Sequence, residues 1–260
     1  MDPVSVSFGT VCRSFFFATA LLAVLVGCSG KQNSSGSASA SSTPAAAPMT
    51  PRVTSYSTDF KLKENPISEG GRWISGKTEG LDWGDVSTSP GYAVGHAGPK
   101  RFADSVALLT GDWGPNQTVE AVVEKRKITR SPEVSLRLRS LLRKHDCQGY
   151  EISYSLNDND SAYLIIVRWN GPLADFTYLV NTQGQQYAVK TGDVVKATIS
   201  GNVITTYKNG IQMAQVKDNT YLNGSPGFGF NEGKNGNYGI SRFSVTTSDA
   251  LVPAGNSAGQ

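Results

Sequence analysis

YEISYSLNDNDSAYLIIVRW, residues 150–169, reads as two strands joined by a tight reversal. Tyr150, Ile152, Tyr154 and Leu156 alternate with Glu151, Ser153 and Ser155, the period of a half-buried strand. Asn157, Asp158, Asn159, Asp160 and Ser161 follow as a cluster of residues that tolerate turn geometry. From Ala162 to Trp169 the chain is apolar on both faces, as in a mid-sheet strand covered on each side.

The pattern extends in both directions. Downstream, residues 194–199 and 203–207 flank a Ser200-Gly201-Asn202 turn. Asn209-Gly210 then marks a hairpin into residues 211–216, because both central positions of a type I′ turn need positive φ. Residues 226–231 and 238–245 close the series. Upstream, Val119, Ala121 and Val123 alternate with polar neighbours, and Val134, Leu136 and Leu138 alternate with Arg137 and Arg139. Shorter strands are expected at 82–86, 92–94, 105–110 and 176–180. Roughly fourteen short strands and no helix predict an all-β fold, a two-sheet antiparallel jelly-roll sandwich.

The ends are different. The 260 residues allow one large β domain plus processing segments. Arg13 precedes an apolar run to Val26 that is short for a membrane span and suits a secretory signal. Leu25-Val26-Gly27-Cys28 resembles the bacterial lipobox, which implies lipidation of Cys28; by the same resemblance Ser29 favours outer-membrane sorting. The expected organisation is a signal peptide at 1–27, lipidated Cys28 and a Ser/Ala/Pro linker at 28–55, the domain at 56–247 and a disordered tail at 248–260. Cys12 leaves with the signal and Cys28 carries lipid, so Cys147 has no disulfide partner. Cys147 lies beside His145 and Asp146, but adjacency in a turn does not give the geometry of a nucleophile and its base. A net charge of +3 excludes the concentrated basic footprint of general nucleic-acid binding.

Three segments together resemble the concanavalin A-like lectin/glucanase superfamily, laminin G-like domains included. They are NPISEGGRW at 65–73, the strand at 136–139 leading into YEISYS at 150–155, and GDVVKATISGNVITTYKNG at 192–210 with GSPG at 224–227. The resemblance implies a jelly roll that presents a shallow sheet to a glycan. The Glu-x-Asp-x-Glu strand motif of the superfamily's glycosidases is absent, as are alginate-lyase signatures. Glu120 and Glu124 share a strand face but stand about 13 Å apart along it, too far for a catalytic pair. No cofactor is expected; calcium is suggested only by the oxygens of Asn157, Asp158, Asn159 and Asp160, without EF-hand spacing. His96 and His145 have no metal-ligand spacing.

Arg137 and Arg139 are two residues apart, which on a regular strand puts both on one solvent-facing side opposite Leu136 and Leu138. Glu151 and Ser153 extend that face, and Tyr163 and Trp169 supply rings. These six residues are the expected ligand-binding set; Trp73, Trp83 and Trp113 are expected in the core. The expected function is a lipid-anchored, extracytoplasmic carbohydrate-binding or surface-interaction module without catalysis, a monomer touching membrane only through its anchor. A polysaccharide hydrolase or lyase whose acids come from separate strands is the alternative, followed by a structural envelope protein. Cys28→Ala should abolish fatty-acid labelling and membrane retention in a Gram-negative host; a variant still labelled and still sedimenting with membranes would refute the anchor.

Overall fold

The computed structural model describes residues 52–98, 100–126, 132–231 and 237–249. The expected signal peptide, Cys12, Cys28, Ser29, the linker through 51 and the tail past Asp249 lie outside the described residues.

Alternating and doubly apolar segments form fifteen strands: β1 (Val53–Thr58), β2 (Trp73–Ser75), β3 (Asp85–Ser89), β4 (Tyr92–His96), β5 (Ser105–Leu109), β6 (Asn116–Lys125), β7 (Glu133–Arg143), β8 (Asp146–Ser155), β9 (Tyr163–Gly171), β10 (Phe176–Gln183), β11 (Val194–Ser200), β12 (Val203–Lys208), β13 (Ile211–Lys217), β14 (Ser225–Asn231) and β15 (Tyr238–Ser248). One sheet of eight has the order β13-β12-β11-β6-β15-β4-β3, with β1 also paired to β15. The other, of seven, has the order β10-β9-β8-β7-β14-β5-β2. Strand structure therefore begins at Val53, ahead of the expected start at Tyr56, because β1 pairs with β15 from Val53↔Ser248 to Thr58↔Phe243. The strand expected at 82–86 starts at Asp85 instead. The Gly84 N–H donates to the Asp104 carbonyl and the Gly84 carbonyl accepts from Val106, which binds this segment to the loop before β5.

Two apolar clusters result. The larger fills the space between the sheets and includes Leu136, Leu138, Tyr150, Ile152, Tyr154, Leu164 and Ile166, with Trp73 among its aromatic members. Trp113 packs against it from a partly buried position. The smaller lies on the outer face of the seven-stranded sheet, where Trp83, Val106, Leu108, Leu142, Cys147, Val167 and Trp169 pack together. Trp83 meets Trp169 edge to face, with centroids 6.0 Å apart. The central hairpin is β8–β9, in register from Cys147↔Gly171 to Tyr154↔Leu164. Its expected half-burial is corrected here: Glu151 and Ser153 are as buried as the inner row, because the outer cluster and neighbouring loops cover their side of the sheet.

Asn209 and Gly210 join β12 to β13 with φ values of 50° and 81°. A β-branched side chain at Gly210 meets backbone strain of roughly 1–3 kcal/mol although the space around it is open. Gly210→Val should lower the melting temperature of the full chain by several degrees. An unchanged melting curve would show that this turn does not need a left-handed residue.

Candidate functional site

Alternation along β7 places Glu133, Ser135 and Arg137 on the outer face of the seven-stranded sheet, opposite Val134, Leu136 and Leu138. Register then brings Arg137 beside Glu151 and Ser135 beside Ser153. Arg137 is 1% exposed and Glu151 3%, and Arg137 Nη2 lies 3.0 Å from Glu151 Oε2. The contact has the distance of an ion pair without hydrogen-bond alignment, so Arg137 Nε and Nη2 have no hydrogen-bond acceptor among the described residues. The guanidinium carbon stands 5.8 Å from the Trp169 ring centroid. Trp169 Nε1 donates to Glu151 Oε2 at 2.5 Å, and Ser153 Oγ donates to Oε1 at 3.3 Å. Glu151 thus bridges a cation, an indole and a hydroxyl on three strands.

Arg139 parts company with Arg137. Register between β7 and β8 shifts between Leu138 and Leu141, where Arg139 and Ser140 oppose Gly149 alone. Arg139 takes φ 46° and Gly149 φ 117°. A Cβ on Gly149 would come within 2.5 Å of Ser140 Cα, so glycine is needed there. The bulge turns Arg139 toward the inner end of the sandwich. Its Nε donates to the Pro115 carbonyl at 2.7 Å, Nη1 to Tyr221 at 2.9 Å and Nη2 to Gly201 at 2.7 Å. The shared, solvent-facing side expected for the two arginines is therefore overturned. Both are buried, which is tolerable because one is ion-paired and the other is satisfied by three carbonyls.

The uncovered part of the outer face is a cleft of about 400 Å³. Aromatic rings of Tyr163, Trp169, Phe176 and Tyr178 line it, and Asn181, Gln183 and Asn231 supply planar amides. Tyr178, on the edge strand β10, is 51% exposed. Glu133, Glu151 and Asp104 complete the lining, and one carboxylate oxygen from each lies within 4.8 Å of the others. Among the described residues this is the one such convergence of His, Cys, Asp or Glu side chains. The Asn157–Asp160 region folds as a plain turn, with Asn159 Oδ1 accepting from the Ser161 N–H and hydroxyl.

Of the expected set, Glu151, Ser153, Tyr163 and Trp169 line the cleft, Arg137 lies beneath it, and Arg139 is remote. Tyr178, Asn181, Gln183, Asp104 and Glu133 were not foreseen. Cys147 is fully buried in the outer cluster, and burial pushes its thiol up to about 12, away from thiolate chemistry at neutral pH. His145 Nδ1 lies 2.7 Å from Asp82 Oδ2 at the surface.

Glu133 is 4% exposed and accepts from the Tyr163 hydroxyl at 2.7 Å. Burial, and then the negative charge of Glu151, raise its pKa from 4.5 to about 7. The same burial, with Glu133 beside it, pushes the Tyr163 phenol up.

No protein-family model matches the chain, and no curated protein matches it. Solved structures do. A protein of unknown function with a galectin-like fold from Bacillus subtilis aligns with a TM-score of 0.50 and 13% identity, over 74% of this chain and 95% of its own. The exoplasmic/lumenal domain of VIP36, in its Ca2+/Man3GlcNAc-bound form, aligns with a TM-score of 0.50 and 12% identity, over 75% of this chain and 90% of its own. The carbohydrate-binding module CBM66 from Bacillus subtilis gives 0.48 and 11%, over 71% and 96%. The likeness is one of fold alone: a two-sheet antiparallel jelly-roll sandwich.

Because Glu133 holds its proton more tightly when folded than unfolded, it favours the fold below pH 4.5, and this contribution is lost as pH rises through about 7. Glu133→Gln should remove up to about 3 kcal/mol of the stability loss between pH 5 and pH 8. Urea denaturation at both pH values checks this; equal losses in variant and wild type would refute it.

Proposed function

We propose that the outer-face cleft binds a glycan chain, and that the protein is a monomeric, extracytoplasmic module held to the membrane only by lipid on Cys28. The observation that carries this reading is one trough combining an exposed ring, Tyr178, with the amides of Asn181 and Gln183 from its own strand. Flat rings match the apolar faces of sugars, and planar amides and carboxylates match their hydroxyl pairs. Glu151, Ser153, Tyr163 and Trp169 are the proposed floor contacts. Arg137 supports Glu151 from beneath; Arg139 has a structural role.

A second reading, an enzyme cleaving polysaccharide, is favoured by Glu133 and Glu151. Their carboxylate oxygens approach within 4.8 Å, close to the about 5–5.5 Å of a retaining pair. Glu133 is biased toward the protonated form, and Glu151 is ion-paired. The acids come from separate strands, so no linear motif marks them.

A glycan array probed with the full chain in detergent should return hits, and Tyr178→Ala should weaken the best by roughly 1–2 kcal/mol in isothermal titration, the scale of lost aromatic burial. Equal affinity of variant and wild type would move the site elsewhere. Product release from a bound glycan, lost in Glu133→Gln, would establish the enzymatic reading; no release would leave a binding module.

A further inference from the structure

We infer that the cleft takes the end of a glycan chain rather than its middle, because an aromatic wall topped by Phe102 closes it at one end. The inference rests on the glycan-binding reading above and names the part of a glycan that the same cleft accepts.

Strand register defines the two ends. Phe176 pairs with Trp169 at one and Gln183 with Tyr163 at the other. Six residues of β9 separate them, about 20 Å of strand. At the Tyr163 end the described lining includes Ser161 and Gln183, both exposed and polar. At the Trp169 end the lining is Phe102, Trp169 and Phe176. Phe102 meets Phe176 edge to face with centroids 5.3 Å apart, Phe176 lies 5.2 Å from Trp169, and Trp83 backs Trp169 at 6.0 Å.

This wall crosses the face. Phe102 stands three residues before β5, and Phe176 begins β10, five places away in the sheet order. A flat sheet would hold those two strands about 24 Å apart. Rings in contact from the two sides therefore bridge the outer face over the strands between. A chain running along the strands from the Tyr163 end meets the bridge and stops. A chain entering over the edge strand, past Tyr178, runs into the loop that carries Phe102.

Phe102 is pinned rather than free to swing. Its φ is 64°, a left-handed value uncommon for an aromatic residue and kept only where the surroundings impose it. The Ala103 carbonyl accepts from the Gly98 N–H at 2.7 Å, and the Asp104 carbonyl from the Gly84 N–H at 2.9 Å. Lys100 Nζ lies 2.9 Å from Asp82 Oδ1. The Arg101 guanidinium carbon stands 4.5 Å from the Phe102 ring centroid. Backbone strain thus sits at the one loop residue whose ring closes the cleft, as it does at ligand clamps.

Glycan arrays probed with the full chain in detergent test this. Each short glycan is printed twice, once with its far end free and once with that end extended by one further sugar. One set is immobilised through the reducing end and a second through the non-reducing end. The expected result, in one of the two sets, is a signal at least tenfold stronger for the free-ended member of a pair than for its extended partner. Phe102→Gly removes the ring and suits a φ of 64°; it should bring that ratio below threefold. Phe102→Asn, which also tolerates left-handed backbone, provides the same test should the glycine variant not match wild type in melting temperature. A ratio below tenfold for wild type in both sets would overturn end recognition while leaving glycan binding intact. A tenfold ratio that survives in the folded variants would also overturn the inference, since the wall would not be its cause. No signal from any printed glycan would remove the glycan reading itself.

Discussion

A guanidinium buried against tryptophan must be neutralised, and here Glu151 does it. Arg137 and Glu151 face each other across β7 and β8 near the middle of the seven-stranded sheet, under cover from solvent. Such a pair adds little net stability, since desolvating both ions offsets their attraction, but removing one partner leaves an uncompensated buried charge at a cost of about 3–5 kcal/mol. The constraint therefore fixes register. A slip of one residue between β7 and β8 would separate the pair and turn the apolar row of one of the two strands, Leu136 or Ile152 with it, out of the core.

The rest of the site follows from that pair. Glu151 draws the Trp169 indole toward it, which sets the ring where Trp83 and Phe176 can pack on it. Glu133, two residues before Ser135 on the same strand face, is then left near a carboxylate already spent on Arg137. It accepts from Tyr163, and burial, with the negative charge of Glu151, raises its proton affinity. Groups that a folding chain would keep apart are held together by an apolar cluster at one end of the face and by the inter-sheet core beneath.

Much of the fold could be read from the sequence because its signals are local. The alternation at 150–156 and the Asn209-Gly210 pair each specify their own geometry. Burial on the outer face was not legible, since Trp83 and Phe102 reach it from loops distant in sequence. Nor was the fate of Arg139: alternation continues unbroken in the letters, and only the bulge opposite Gly149 reverses the side chain. Half of the cleft was hidden for the same reason. Asp104, Glu133 and Tyr178 come from three separate segments whose meeting depends on the strand order β10-β9-β8-β7-β14-β5. Glu151, Ser153, Tyr163 and Trp169 were visible because they lie on the central hairpin.

Strand order also bears on when the chain can fold. The strand at 238–248 is among the last parts of the domain to be synthesised, yet it lies inside its sheet, with β6 along one edge and β4 and β1 sharing the other. Until it emerges, β1 lacks its strand partner among the described residues and β6 has an open edge, so the eight-stranded sheet cannot be completed. Contacts such as Val53↔Ser248 close loops nearly as long as the domain, the kind of pairing that makes folding slow and leaves apolar strands exposed meanwhile. The domain therefore cannot complete its fold until the strand at 238–248 has been synthesised.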